Sequence, residues 1–155
     1  MMSFDPNTII AFATCAGVLV AIAQISFLNS TAKKERTLTI CNQYDTNPII
    51  HEIALRLRSA HESGEFNKAP HSFRIDVVTL LNYLDSITIG IVQNLYIDAM
   101  AFDHTGAIVK RHVEEYLTPE CSKAIGISLD NYVELRKMHD RWYPVNSMVK
   151  YKSAL

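Results

Sequence analysis

The chain has 155 residues, with 15 lysines and arginines against 16 aspartates and glutamates and a hydrophobic fraction of 48%. This length holds one domain, or a domain with an appendage. The formal charge of −1 argues against a protein that binds nucleic acid mainly through bulk charge. Residues 8–28 contain 16 apolar residues out of 21 and no charge, whereas the rest of the chain has an ordinary apolar fraction of about 43%. This uneven distribution excludes a polytopic transporter, a disordered chain and a purely soluble protein.

The apolar stretch over residues 8–28 is long enough to cross a bilayer. About 20 helical residues rise about 30 Å, which matches the thickness of the hydrocarbon layer. We therefore predict that this stretch forms a transmembrane helix and that the lipid bilayer is a partner of the protein. Gly17, Ala21 and Gln24 favour packing against a second copy, because small residues allow close approach in lipid and an amide can hydrogen-bond there. A single helix alone in lipid is the alternative.

The charges on either side of this stretch predict its orientation. Residues 1–7 carry only Asp5, which argues against a cleaved signal peptide, since such a peptide begins with a positive region. Lys33, Lys34 and Arg36 follow the stretch, so the positive-inside rule places the N-terminus outside and the later residues in the cytoplasm. We expect a single-pass protein of the inner cell membrane with five segments: an extracytoplasmic N-terminus (1–7), the transmembrane helix (8–28), a juxtamembrane helix extension (29–46), a cytoplasmic helical bundle (47–143) and a tail (144–155).

The cytoplasmic part is predicted to be all-α, because glycine is scarce and apolar residues recur at helical spacing. The first helix continues to about Tyr44, and Asn47-Pro48 ends it and starts the next. Gly64 ends the second helix, and residues 65–71 are predicted to be a loop. Further helices are predicted over 72–95, which is the most hydrophobic of them, over 98–117, and from about 128 to 142. Together they form a small bundle.

The sequence patterns of metal, nucleotide and hydrolase sites do not occur in this chain. His51-Glu52 begins like a zinc-protease helix, but Leu55 stands where the second histidine is needed. The three cysteines form no C-x-x-C pair, and neither a phosphate-binding loop nor a G-x-S-x-G elbow occurs. We therefore expect no metal site and no cofactor, and we favour a protein that is not an enzyme.

Arg56 and His61 are the candidate catalytic residues. Their spacing fits the R-x4-H pattern of HEPN ribonucleases, where the histidine transfers protons and the arginine stabilises phosphate charge in a site built from two copies. Two observations favour an ordinary helix surface instead. Residues five apart lie about 140° apart around a helix, and Glu52–Arg56 and Arg58–Glu62 have the spacing of helix salt bridges.

Asn82 and Asp85 are polar residues in the middle of the most hydrophobic helix. Because a buried carboxylate must be paired or neutral, we expect a cationic partner from the last helix, namely Arg136, His139 or Arg141. We favour a structural polar lock made by Asn82, Asp85, Arg136 and Arg141 over a ligand site.

The segment LNYLDSITIGI, residues 81–91, resembles the N-Y-L-[ED]-x4-G-I core of an uncharacterised bacterial family of small single-pass membrane helical proteins. The ending Arg141-Trp142-Tyr143 is also similar. The architecture resembles that of the membrane accessory protein of type VI-B CRISPR systems, a single membrane helix followed by a HEPN-like helical domain. This resemblance implies a ring of copies that forms a membrane pore and weakens the cell envelope during phage defence. There the HEPN-like arginine and histidine come late in the chain, where this sequence has Arg136 and Arg141.

The sequence supports three hypotheses about function. The favoured one is a membrane-anchored, homo-oligomeric helical protein that acts by protein interaction or by pore formation in phage defence, with a cytoplasmic defence effector among its candidate partners. The second is a membrane-tethered HEPN-type ribonuclease that uses Arg56 and His61. The third is a monomeric tethered module that binds one cytoplasmic partner.

Overall fold

The computed structural model describes the backbone of residues 6–144 and the side chains of residues 17–144. All regular structure in this range is helical, as predicted. The expected outer segment 1–7 and the tail 144–155 fall almost entirely outside it. The α-helices are α1 (Pro6–Thr46), α2 (Pro48–Glu62), α3 (Glu65–Lys68), α4 (Arg74–Val92), α5 (Asp98–Tyr116), α6 (Pro119–Ile125) and α7 (Val133–Trp142), with short 3-10 helices over Pro70–Phe73 and Leu129–Tyr132.

Helix α1 is continuous over 41 residues, a length of about 60 Å. It ends where predicted, because Asn47 caps the next helix: its side-chain oxygen accepts hydrogen bonds from the backbone N–H groups of Ile49 (3.0 Å) and Ile50 (3.4 Å). Pro48 occupies the first turn of α2, where its missing N–H costs nothing. The sharp turn between α1 and α2 folds α2 back against α1.

Helix α4 is the centre of the bundle and packs against α2, α5 and α7. One face is fully buried, at Val77, Leu80, Leu84 and Ile87. The helix is less enclosed than its apolar sequence suggested, since Ile75 on the other face is 79% exposed.

The second half of α1 belongs to this bundle. Thr37 and Cys41 are buried, and the Tyr83 hydroxyl of α4 donates to the carbonyl oxygens of Ile40 (2.9 Å) and Cys41 (3.1 Å). The backbone N–H of Ile97, just before α5, donates to the Thr37 hydroxyl at 3.0 Å. These contacts join α1 from Thr37 onward to the packed core.

The loop predicted over residues 65–71 is wrong in detail. Gly64 ends α2 as expected, with a left-handed φ of 72° that favours glycine. It then leads into the single turn of α3 and a 3-10 helix. Phe66 is the reason: its ring is buried against His61 and Phe73, and this packing orders a segment whose polar composition is typical of a loop.

Within the described residues, one helical stretch is long and apolar enough to cross a membrane: Pro70–Val92. It lies inside the chain and is not the predicted N-terminal stretch, of which residues 8–16 fall outside the described side chains. Of the most apolar 18-residue stretch within Pro70–Val92, 44% is buried inside the protein, as expected for the core helix of a bundle.

Candidate functional site

The first half of α1 carries apolar side chains that cover nothing in the protein's core. Every residue from 17 to 28, here called the apolar segment, is exposed. Leu19, Ile25, Phe27 and Leu28 are each between 62% and 72% exposed. Isolated exposed apolar residues are ordinary, but a continuous patch of this kind marks an interaction surface.

The predicted packing residues of the span lie within this segment. Gly17, Ala21 and Gln24 are all exposed, and their spacing of four and three residues places them on one face of the helix. Among the described residues, no atom outside the neighbouring backbone of α1 lies within 4 Å of the position that a Cβ would take at Gly17. This face therefore leaves room for close approach of another helix.

Basic residues follow the apolar segment within two helical turns. Lys34 and Arg36 are exposed, and the Lys33 ammonium group donates a hydrogen bond to the side-chain oxygen of Asn94 in the turn between α4 and α5. The positive charges thus stand at the point where α1 enters the bundle.

Arg56 and His61 have separate partners on different helices. The Arg56 guanidinium makes a two-pronged contact with the Asp76 carboxylate of α4, with both N···O distances at 2.8 Å. His61 instead faces α5, where its Nε2 lies 3.1 Å from both Glu115 Oε1 and the Tyr116 hydroxyl. Within one chain, the two candidate catalytic residues are not brought together.

A polar cluster that sequence reasoning missed joins three helices. Its members, here called the histidine–glutamate cluster, are Tyr44 of α1, His61 of α2, and His112, Glu115 and Tyr116 of α5. Glu115 lies between the imidazoles, with Oε2 3.7 Å from His112 Nδ1, and Tyr44 Oη lies 3.2 Å from His112 Nε2. The rings of His112 and Tyr116 are stacked. The only signal in the sequence was the spacing of His112 and Glu115, three residues apart on one helix face.

The charges of this cluster hold the carboxylate ionised. Burial raises the pKa of Glu115, but His112, His61 and Arg111 together lower it further than burial raises it, so the net pKa lies below the usual value. Burial raises the pKa of the Tyr116 hydroxyl well above its usual range. The cluster therefore holds an anionic carboxylate between two imidazoles.

Asn82 and Asp85 have other neighbours than the predicted arginines. The Tyr132 hydroxyl donates to Asn82 Oδ1 at 3.1 Å, and the backbone N–H of Leu135, in the first turn of α7, lowers the pKa of the Asp85 carboxyl. A helix N-terminus carries free N–H groups and a partial positive charge, so it can replace a cationic side chain. Asp85 thus faces the N-terminus of α7, where Tyr132 makes no side-chain cap of its own.

In the described part of the chain, the two arginines predicted to pair with Asp85 lie away from it. Arg141 pairs with Asp98 of α5 at 2.8 Å, and the Trp142 indole N–H donates to the same carboxylate at 2.8 Å. Arg136 is exposed. The prediction that Asp85 is neutralised by a basic side chain of the last helix is therefore wrong, because α7 presents its N-terminus to that carboxylate.

The described side chains include no group that could hold a metal ion, and the Cys41 thiol is not reactive. Within residues 17–144, no three histidine, cysteine, aspartate or glutamate residues are grouped so that they could hold a metal ion. Burial raises the pKa of the Cys41 thiol to about 11, although the nearby Thr105 side chain opposes this rise. That thiol is therefore protonated and a poor nucleophile at neutral pH.

The family described as a domain of unknown function (DUF4760) matches residues 11–118. This match covers most of the chain, so the chain belongs to that family. The matched region begins inside the first half of α1 and ends just before α6. No curated protein and no solved structure matches the chain. The resemblance to the type VI-B accessory protein stays a prediction.

Proposed function

We propose that this member of the family is a single-pass membrane protein that acts through self-association and protein contacts at the cytoplasmic face. The observation that carries the proposal is that α1 has two unlike halves. Its apolar segment is exposed throughout, whereas the same helix from Thr37 onward is built into the core.

The energetics of the apolar segment support a lipid environment. Burying one large apolar side chain is worth about 1.5–3 kcal/mol, and seven such side chains between Val18 and Leu28 are more than half exposed. Covering them is then worth on the order of 10 kcal/mol. Together with residues 8–16 the segment is 21 residues long and uncharged, which matches the thickness of a bilayer.

Helix α4 is a poorer candidate for the span, although Pro70–Val92 meets the same criteria of length and composition. Its fully buried residues Val77, Leu80 and Leu84 hold the bundle together. Moving α4 into lipid would dismantle this core, whereas inserting the apolar segment of α1 breaks no contact of the core.

The charge distribution supports a cytoplasmic bundle. Lys33, Lys34 and Arg36 lie directly after the span, and residues 1–7 carry only Asp5. The positive-inside rule then places the bundle in the cytoplasm and the N-terminus outside the inner membrane.

Paired lysine substitutions test the anchor. The variant Leu19→Lys with Ile22→Lys should move the full-length chain from the membrane fraction to the soluble fraction, because each lysine near the centre of a span costs about 2.5–3.5 kcal/mol. Ile75→Lys is the control, because Ile75 lies outside the proposed span and is 79% exposed on α4. This variant should leave the chain in the membrane. A double variant that stays in the membrane fraction as fully as the control would refute the anchor.

Self-association rests on the face that carries Gly17, Ala21 and Gln24. Crosslinking of the full chain in detergent should give dimers or larger species, and Ala21→Leu should reduce them by blocking close approach. Ala23→Leu makes the same change in size about 160° away around the helix and should have no effect. A strict monomer at high protein concentration would refute self-association and favour the monomeric binding module. Leakage of an enclosed dye from vesicles that contain the chain would show that the protein acts by forming a pore.

A further inference from the structure

We propose that the turn between α4 and α5 is a second membrane contact, which inserts into the bilayer surface and holds the bundle against it. This inference rests on the proposed anchor and extends it from α1 to the folded domain. The contact consists of apolar side chains at the tip of the turn and basic side chains on the adjacent part of α1.

Two hydrogen bonds fix the position of this turn along the axis of α1. Asn94 accepts from the Lys33 ammonium group, and the N–H of Ile97 donates to the Thr37 hydroxyl at 3.0 Å. Lys33 lies five residues beyond Leu28, or about 7–8 Å along the helix. The headgroup layer on each side of a bilayer is about 5–8 Å thick, so a span that ends at Leu28 places the turn within that layer.

Gln93 and Asn94 are exposed in this turn, and exposed apolar side chains stand on either side of them, where an aqueous turn is expected to be polar. Val92 is 64% exposed, and Leu95 and Ile89 are each 42% exposed. Leu95 comes directly after Asn94, whose positive φ of 59° reverses the chain sharply. Exposed apolar side chains beside the end of a span are suited to insertion at the boundary between headgroups and acyl chains.

The backbone of the turn is held in this shape by close packing. The carbonyl oxygen of Gly90 accepts from the N–H groups of Leu95 (2.8 Å) and Tyr96 (3.2 Å), and the Tyr96 ring lies where a side chain at position 90 would stand. Such a fixed turn presents its apolar tip in one direction. Tyrosine is itself common at membrane interfaces, where its ring meets both lipid and water.

The charge beside the tip favours an anionic lipid surface as the occupant. Lys34 and Arg36 are exposed on α1 next to the turn, with Glu35 as the opposing charge between them. Each basic residue near an anionic leaflet contributes about 1 kcal/mol to membrane attraction. The cations lie six and eight residues beyond the apolar segment on the same helix, and the turn contacts α1 at Lys33 and Thr37, so one bilayer surface can cover all three.

Fluorescence quenching tests this contact in the full chain. Wild type has a single tryptophan, Trp142 of α7, which gives the baseline in vesicles of phosphatidylcholine and phosphatidylglycerol with brominated acyl chains. Leu95→Trp and Val92→Trp each add a tryptophan at the tip, and Ile75→Trp adds one at the other end of α4, about 26 Å away. We expect the two tip variants to lose more fluorescence than wild type on bromination, and the Ile75 variant to match wild type.

The outcomes separate this proposal from the anchor. If the tip variants sediment with the vesicles but are quenched no more than Ile75→Trp, the turn does not touch lipid and this proposal alone is overturned. A blue-shifted tip tryptophan that brominated lipid does not quench would mean that protein covers the turn, which also overturns it. If the chains do not sediment with the vesicles at all, the anchor and this contact are both overturned.

Discussion

Replacing Asp85 by asparagine separates an interaction with the N-terminus of α7 from a buried ion pair. Burial raises the pKa of Asp85, the negative charge of Glu134 raises it further, and the hydrogen bond from the Leu135 N–H lowers it by less. Among the described residues, Asp85 Oδ1 is also buried without a hydrogen-bond partner. The folded protein therefore disfavours the ionised carboxylate, whereas the oxygen of an uncharged amide at this position can still face the Leu135 N–H.

The expected magnitudes follow from these contacts. At neutral pH, Asp85→Asn should leave the free energy of unfolding unchanged or raise it by up to about 1 kcal/mol, because the acceptor remains and the buried charge is gone. Asp85→Ala should lower it by about 1–2 kcal/mol, since the oxygen that faces the N-terminus of α7 is lost. For a chain of this size each kcal/mol moves the melting temperature by about 2–4 °C.

Denaturant unfolding of the full chain in nonionic detergent, followed by circular dichroism, measures both variants. The folded-state pKa of Asp85 lies above the ordinary value of 3.8, so the folded chain binds this proton more tightly than the unfolded chain. Wild type should therefore gain stability relative to Asp85→Asn as the pH falls from the folded-state pKa toward 3.8. A loss of 3 kcal/mol or more in Asp85→Asn at neutral pH would indicate a buried ion pair and refute the interaction with the N-terminus of α7.

Three further substitutions test other contacts of the bundle by the same unfolding measurement. Glu115→Gln should cost about 1 kcal/mol at neutral pH. Because the folded-state pKa of Glu115 is lowered, this loss should persist above about pH 4.5 and disappear as the pH falls through the folded-state value; a loss that grows in acid would contradict the assignment. Gly90→Ala should destabilise by about 1–2 kcal/mol, since the added methyl group overlaps the Tyr96 ring, and an increase in stability would mean that the ring moves aside freely. Arg56→Ala should cost less than about 1 kcal/mol because the ion pair is half exposed, and a double-mutant cycle with Asp76 should recover that energy as coupling; no coupling would refute the pairing.

The long helices were predictable because their signals are local, whereas the short helices α3 and α6 were not predicted. Asn47-Pro48 and Gly64 each set a helix boundary through their own backbone and side-chain chemistry. The pattern of apolar residues in α4 likewise marked the core helix, because burial of one face requires a helical period.

The polar contacts were not predictable because they depend on which helix faces meet. Tyr44 and His112 are 68 residues apart in the chain, and nothing local relates them. Asp85 was expected to need a basic side chain, but the backbone of α7 serves instead, and a backbone donor leaves no signal in a sequence. Arg141 is drawn to Asp98 by the crossing of α5 and α7, which no residue spacing reveals.

Extraction of native membranes with alkaline carbonate tests the central claim most directly, because this wash releases proteins held by charge or by peripheral contact and leaves spanning helices in place. The full-length chain carries its exposed apolar segment on α1, so it should remain entirely in the membrane pellet and be released only by detergent. Recovery of the folded chain in the carbonate supernatant would contradict a helix that spans the bilayer.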